Sequence, residues 1–389
     1  MGPPLERPSQ GAAGPPPARI PVPRRSTIAE FFHRHPIAAL AVLTPGIVEY
    51  LFGSSSLLPL VAAPPIFLLF LAVNVGQYTA GVLLIREAMV RGQKGWASVG
   101  LWAIAYGIVE EGLGDNTLFR GGHGADGILG VYGHFLGVNW VWSFGVLALH
   151  VVVSVSMPIV VLGLALPESR GRSLLRGPGI VLCFLALAGT TAFESLSNLR
   201  LYDFWMGGAL FTGCWIALAG LLLAGGVVPS SWGRPRGPRP TASRPAMFAA
   251  GAALFPALLA TEYLGAALGV PPFVTLAVEA AMLLGFVEWV RRHIGRERHD
   301  RALIALAAGL VVWVGLFGTL LTRPFPYPAP LLAVAIYFFW RLDRAYRPTG
   351  SSSDPPASPP PASGAAARSA SAVPPGTGSG TTAIHFTNI

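Results

Sequence analysis

The chain has 389 residues, of which 52% are hydrophobic and only 12% are charged. Soluble domains carry about twice that share of charged residues, so this composition excludes an ordinary soluble protein. The net charge of +9 would favour a nucleic-acid partner in a soluble chain. Here the positions of the basic residues explain that charge in another way, and we expect no nucleic-acid partner.

The two ends of the chain differ from its middle. Residues 1–29 are rich in Pro, Gly and Arg, and they lack the apolar core of a signal peptide, so we predict disorder there. A short helix from Ile28 to His35 should follow and lie at the membrane surface through Phe31 and Phe32. Residues 348–389 are mostly Ser, Pro, Ala and Gly, and are also predicted to be disordered. Residues 30–347 would form the membrane domain.

Apolar runs of about 20 residues recur throughout this middle region, and each is long enough to cross a bilayer as a helix. The runs are continuous and do not alternate as the strands of a barrel do. We therefore predict an all-α fold, a polytopic bundle of about ten transmembrane helices. The predicted spans are 37–53, 62–85, 97–114, 140–166, 178–195, 207–228, 246–268, 272–290, 302–321 and 328–341.

The basic residues give the orientation. If these spans alternate in direction, every Lys and Arg except Arg120, Arg200 and Arg323 falls on the same side as the two ends. Positive charge in short loops marks the cytoplasmic side. The sequence therefore predicts a multi-pass protein of the cell membrane with both termini in the cytoplasm and membrane lipid around it.

The largest outer loop, residues 115–139, is polar and rich in glycine. It is either a flexible connection, with Trp140 and Trp142 in the aromatic belt that begins the next span, or a lid over a site.

Signatures of cofactor and metal chemistry are missing from the sequence. Cys183 and Cys214 fall in different spans at different depths, so we predict free cysteines packed among apolar groups. No Walker loop, His-Glu-x-x-His motif or Gly-x-Ser-x-Gly elbow occurs, which argues against an ATP-driven pump. No cofactor and no metal ligand is predicted.

Acidic residues inside the spans are the most informative feature, because a charge at mid-bilayer costs about 2.5–3.5 kcal/mol. By distance along their helices most of these groups should share one level, from mid-membrane outward, where they would line a single polar cavity. Adjacent residues on an α-helix point about 100° apart, so Glu110 and Glu111 should not face the same partner. Glu49 and Glu262 could equally well reach the membrane interface and have no role in the cavity. Glu279 could equally well form a hydrogen bond between helices. The full set is Glu49, Glu110, Glu111, Glu194, Glu262, Glu279 and, with them, His150.

The order of these groups resembles the CPBP (Abi) family of glutamate-dependent intramembrane proteases, which carry Glu-Glu-x-x-x-Arg, then Phe-x-x-x-His, then His-x-x-x-Asn/Asp. Glu110 and Glu111 match the first motif, with Asp115 in place of the arginine. His150 matches the second, with valine in place of the phenylalanine. In the third, Asn198 is kept and Glu194 replaces the histidine.

Two functions fit these residues. The resemblance implies a membrane peptidase in which Glu110 or Glu111 activates water, His150 assists, and Glu194 and Asn198 support the site. Its substrate would be a membrane-embedded peptide. A secondary transporter or ion-coupled permease would instead use the same carboxyls to bind protons, cations or a small molecule.

Overall fold

The computed structural model of the protein describes residues 27–120, 128–234, 241–294, 299–322 and 327–347. Most of the predicted N-terminal disorder and all of the C-terminal tail lie outside these residues. Residues 27–29 are an exception, because they belong to the first helix and not to a disordered segment.

The described residues are almost entirely helical, which confirms the all-α prediction. The only strands among them are His134–Phe135 and Val138–Asn139, which pair as a two-residue antiparallel hairpin. In chain order the main helices are α1 (Thr27–Arg34), α2 (Pro36–Leu51), α3 (Pro64–Arg91), α4 (96–114), α5 (Trp140–Ala165), α6 (Gly177–Tyr202), α7 (Gly207–Val227), α8 (Arg244–Ala267), α9 (Pro272–His293), α10 (His299–Leu321) and α11 (Pro328–Ala345).

Every predicted span coincides with one of these helices. Seven of them, α3 and α5 to α10, are long and apolar enough to cross a membrane. The helix α2 is apolar but shorter. The chain is therefore compatible with a multi-pass membrane protein built from helices.

Proline begins many of the helices. It stands in the first turn of α2, α3, α6, α8, α9 and α11, where its missing N–H group would have no partner in any case. The helix ends were harder to predict: α3 continues to Arg91 and α6 to Tyr202, beyond the predicted residues 85 and 195. Arg86 is consequently a buried helical residue and not part of an exposed loop.

The central helix of the bundle is α5, which has two buried faces. Val155, Ile159 and Leu162 pack into a core with α2, α3 and α4. Val153 and Met157 lie in a second core with α2, α8, α10 and α11. Residues on α5 are therefore in contact with both halves of the protein.

The loops that were predicted to share one side of the membrane contact one another. Arg86 donates hydrogen bonds to the backbone oxygens of Ser169 and Arg172, and Lys94 donates to that of Gly226. The opposite helix ends are also joined, since the Tyr327 hydroxyl donates to the Gly53 oxygen at 2.8 Å. These contacts agree with helices that alternate in direction.

Glycine allows α8 and α10 to pack backbone to backbone. A Cβ atom on Gly309 would lie 2.1 Å from the Phe248 oxygen, and one on Gly251 would lie 2.3 Å from the Leu306 oxygen. Neither carbonyl can move without disturbing its helix, so only glycine fits at these positions.

We expect Gly309→Ala to lower the free energy of unfolding by about 1–3 kcal/mol, because the added methyl group must push the two helices apart. Gly220→Ala on α7 is the matched control. No atom lies within 4 Å of its added Cβ, so the higher helix propensity of alanine should leave stability unchanged or raise it. Thermal unfolding in detergent measures both, and equal stability of the two variants would contradict the packing.

Asp343 lies just beyond the last predicted span and connects α11 to α8 and α10. Its carboxylate accepts hydrogen bonds from Arg244 at 2.9 Å and from Arg301 at 3.2 Å. Burial raises the pKa of Asp343, but the hydrogen bonds and charges of Arg301 and Arg244 outweigh burial and hold the pKa below its usual value of 3.8.

A carboxyl with a depressed pKa stabilises the fold above its unfolded pKa, and this stability is lost as the pH falls through the folded value. Asp343→Asn should therefore lower the unfolding temperature at pH 7, and the deficit should shrink below about pH 4. Asp203→Asn, at a left-handed position that asparagine tolerates, should have little effect at either pH. A pH-independent deficit of Asp343→Asn would contradict the assignment.

Candidate functional site

Four helices of the described structure contain a wide, π-helical turn. These turns are Gly46–Leu51 in α2, Val75–Thr79 in α3, Ile108–Gly114 in α4 and His150–Ser156 in α5. Such turns bond each N–H to the fifth preceding carbonyl, and they are frequent at functional sites. Each one carries a buried polar side chain, and the four helices contact one another there. The wide turns therefore mark one polar site inside the bundle.

The imidazole of His150 lies at the centre of this site. Its Nε2 is 2.9 Å from Glu111 Oε1, within hydrogen-bonding distance, and its Nδ1 is 3.4 Å from Glu110 Oε2. The His150 side chain is 2% exposed and that of Glu110 is 4% exposed, whereas that of Glu111 is 13% exposed. The three side chains thus form a buried carboxyl–imidazole–carboxyl arrangement that opens at Glu111.

The prediction that the two adjacent glutamates would not face one partner was wrong. It assumed regular α-helical geometry, whereas Glu110 and Glu111 lie in a π-helical turn. The imidazole also offers two nitrogens on opposite edges of its ring, so one histidine can receive both carboxyls. Gly107 lets the helices approach here, because a Cβ on it would lie 3.3 Å from His150 Cβ and 2.6 Å from Leu147 Cδ2.

Glu49 extends the site onto α2, and its side chain is buried. It accepts hydrogen bonds from the hydroxyls of Tyr78 at 2.5 Å and Ser55 at 2.6 Å. Asn74 in turn donates to Ser55 at 3.0 Å. Tyr78 lies within electrostatic reach of Glu110 as well as Glu49, so it connects the two carboxyls. Glu49 is therefore held inside the protein, and its depth relative to the membrane interface stays a prediction.

The predicted supporting residues lie at the outer end of α4. Asn198 donates a hydrogen bond to Asp115 at 2.9 Å, so the residue at the family's arginine position pairs with the retained asparagine. Glu194 lies against Gly114, where an added Cβ would be 2.9 Å from its Oε2. Asn198 and Glu194 thus border the acidic turn of α4, but no described hydrogen bond joins either of them to His150.

Glu262 and Glu279 form a separate pair and not part of the predicted single cavity. Their carboxyls, on α8 and α9, lie close enough to influence each other electrostatically. Glu279 is 0% exposed and neither of its oxygens has a hydrogen-bond donor. Glu262 also touches α5, since a Cβ on Gly145 would lie 2.2 Å from Glu262 Oε1. Two neighbouring carboxyls in apolar surroundings cannot both be ionised unless a cation lies beside them, so the pair suits the binding of a proton or a cation.

Sequence reasoning missed several residues of the site. Tyr78, Ser55 and Asn74 are uncharged and were indistinguishable from polar residues that line helix contacts. Thr117 was missed for the same reason, although its hydroxyl donates to Glu111. A signal for Tyr78 was available, because Gln77, Tyr78 and Thr79 form the only run of three polar side chains in the predicted span 62–85.

The set of donor atoms admits a metal ion. One atom each from Glu110, Glu111 and His150 lies within 4.8 Å of the others. Cys183 and Cys214 are buried and free, as predicted, and lie in different apolar clusters.

The described parts of the loop 115–139 contact neighbouring segments. Asn139 caps α5 by accepting a hydrogen bond from the Trp142 N–H at 3.2 Å, and His134 contacts the Phe119 oxygen at 3.0 Å. Residues 121–127 lie outside the described structure, so the choice between connection and lid stays a prediction.

Comparison of the chain with protein-family models, with curated proteins and with solved structures finds no match.

The carboxyl pair of α8 and α9 gives a test at alkaline pH. Glu279→Gln replaces one carboxyl by an amide that can donate to Glu262, so the variant no longer needs a shared proton. We expect its unfolding temperature to match or exceed that of the wild type at pH 9, where the wild-type pair is under strain to ionise. Glu279→Ala, which leaves Glu262 without a partner, should lose about 1–3 kcal/mol. If Glu279→Gln lowers the unfolding temperature at pH 9 as much as Glu279→Ala does, the two carboxyls do not pair.

Proposed function

We propose that the chain crosses the cell membrane ten times, with both termini in the cytoplasm. Ten helices at the predicted positions support this count. The mutual contacts among the arginine-rich loops and ends, such as those of Asp343 with Arg244 and Arg301, support an even number of spans. The excess of Lys and Arg on that side supports the orientation.

We further propose that the protein is a membrane hydrolase that uses Glu111 and His150 to activate water for attack on a peptide bond. The observation that carries this proposal is the imidazole held between two carboxyls in a buried site. A histidine with a carboxyl on one nitrogen and a second carboxyl beside the other suits proton transfer in catalysis.

Glu111 is the better general base of the two adjacent acids. It is the more exposed, so water can reach it, and the Thr117 hydroxyl holds one of its oxygens. Glu110 is enclosed, and its carboxyl lies 3.4 Å from Nδ1 of His150, where it holds the imidazole in position. In the reaction, Glu111 accepts one proton from water while the water oxygen bonds to the carbonyl carbon. The carbon–nitrogen bond then breaks as His150 or Glu111 delivers that proton to the leaving amine.

The order Glu110-Glu111, His150 and Asn198 supports a peptidase in particular, because it resembles the CPBP (Abi) family. The outer position of Glu194 and Asn198, beside the acidic turn of α4, fits residues that position a substrate. A membrane-embedded peptide is the substrate class, because the site lies among helices that are long and apolar enough to span a bilayer. Asp115 occupies the arginine position and bonds Asn198, so substrate positioning would differ from that family.

The test is cleavage of a quenched fluorescent peptide that carries one apolar span of about 20 residues, reconstituted with the purified protein. Glu111→Gln and His150→Gln should each lower the rate by about 10²–10⁴-fold, because each removes a proton-transfer group. Glu110→Gln should have a smaller effect, since it keeps the shape of the brace and loses only its charge. Glu279→Gln is the matched control and should cleave at the wild-type rate.

Wild-type cleavage in Glu111→Gln, His150→Gln and the double variant would overturn the hydrolase. Loss of cleavage counts only where the variant unfolds at a temperature close to that of the wild type.

A secondary transporter is the second candidate, and the Glu262–Glu279 pair favours it. No described hydrogen bond or ion pair joins this pair to His150, and a hydrolase has no evident use for it. Protein in vesicles with an imposed pH gradient should then move protons or cations. Glu279→Gln should abolish that flux and leave the fold intact, whereas a hydrolase would show cleavage and no flux.

A further inference from the structure

The site around His150 is short of positive charge. Glu49, Glu110 and Glu111 are close enough to influence one another, and Glu49 and Glu110 are almost completely buried. Within the described part of the chain, none of their hydrogen-bond or ion-pair partners is a lysine or arginine. The partners are Ser55 and Tyr78 for Glu49, and His150 and Thr117 for the other two, with the Tyr78 and Tyr106 hydroxyls near Glu110. One imidazole can supply at most one positive charge for three carboxyls.

Two atoms at the centre of this cluster are unpartnered. Nδ1 of His150 and Oε2 of Glu110 have no hydrogen-bond partner, although the residues are 1% and 3% exposed. These atoms face each other across 3.4 Å. A buried polar atom without a hydrogen bond is costly. A ligand that binds both atoms would remove this cost.

The separation of these atoms is that of neighbouring ligands around a metal. With bonds of about 2.0–2.2 Å, two ligands of a tetrahedral zinc ion lie about 3.3–3.6 Å apart. A Glu111 oxygen belongs to the same group, since one atom from each of the three residues lies within 4.8 Å of the others.

The chemistry of the donors also selects the ion. Imidazole nitrogen with carboxylate oxygen suits zinc and similar divalent ions, and three protein ligands leave one position for water, as in catalytic zinc sites. A dication also balances the charge of two carboxylates in a low dielectric. Thr117, which donates to Glu111, and Tyr78, which lies beside Glu110, would hold the ligands in place from outside.

We propose that Glu110, Glu111 and His150 bind one divalent cation of the zinc class, with its remaining position open to water. This inference rests on the proposed hydrolase and deepens it. A bound divalent ion lowers the energy needed to remove a proton from water, so the ion would share with Glu111 the activation of the nucleophile.

The test uses the full-length protein in detergent, stripped with chelator and titrated with Zn²⁺ or Co²⁺ alone. We expect one ion per chain, a Co²⁺ absorption spectrum typical of mixed nitrogen and oxygen ligands, and a higher unfolding temperature. Glu110→Gln, Glu111→Gln and His150→Gln should each weaken binding by at least about tenfold. His134→Ala, which changes a histidine outside the site, should bind as the wild type does.

Binding that is absent in the wild type, or unchanged in all three site variants, would overturn the metal site. Because glutamine at these positions can disturb the fold, Glu111→Asp serves as a second variant; it keeps the carboxylate and should recover part of the affinity.

The outcome also separates this inference from the function. If chelator-stripped protein without any bound ion cleaves the peptide, the catalytic metal site is overturned and the proposed hydrolase is not. If one ion binds at Glu110, Glu111 and His150 but no membrane peptide is cleaved, the hydrolase is overturned and the metal site is not.

Discussion

The contact of His150 with two glutamates is the interaction around which the rest of the bundle is arranged. It requires a wide turn in α4 to present Glu110 and Glu111 together, a wide turn in α5 to place the histidine, and Gly107 to let the helices meet. Helix α5 also contributes residues to both apolar cores, as α2 does. The polar site is therefore built into a helix that packs in both cores, where a shift of its position would disturb packing on two sides.

Burial of charge is managed differently in three parts of the molecule. Near the arginine-rich ends, Glu87 accepts hydrogen bonds from Arg91 and from the Ser173 hydroxyl, and Asp343 pairs with two arginines. At the central site, the partners are one histidine and several hydroxyls. Glu262 and Glu279 have only each other. The first arrangement is sufficient for stability alone. The second and third leave charge uncompensated, which is why both suit the binding of a proton, a cation or a substrate.

A common geometry links the residues of the central site. Glu49, Tyr78, Glu110, Glu111 and His150 all occupy π-helical turns, on four helices that contact one another. A wide turn weakens the regular hydrogen bonds of a helix and is retained where it re-aims a side chain. The coincidence of four such turns with the buried polar groups is independent of any resemblance to a known family. It singles out the central site, rather than the Glu262–Glu279 pair, as the place for chemistry.

The sequence by itself determined the all-helical architecture, compatible with a membrane, the approximate place of each helix, and the acidic residues and histidine of the central site, because apolar length and the cost of intramembrane charge are local properties of the chain. It also placed Glu110, Glu111 and His150 in one site. Which acids meet was decided only by the tertiary structure: Glu49 is connected to Glu110 through Tyr78, whereas Glu262, at a similar predicted depth, lies beside Glu279. Depth along a helix follows from counting residues. The direction in which a side chain points depends on helix packing and on wide turns, which the pattern of apolar residues does not record.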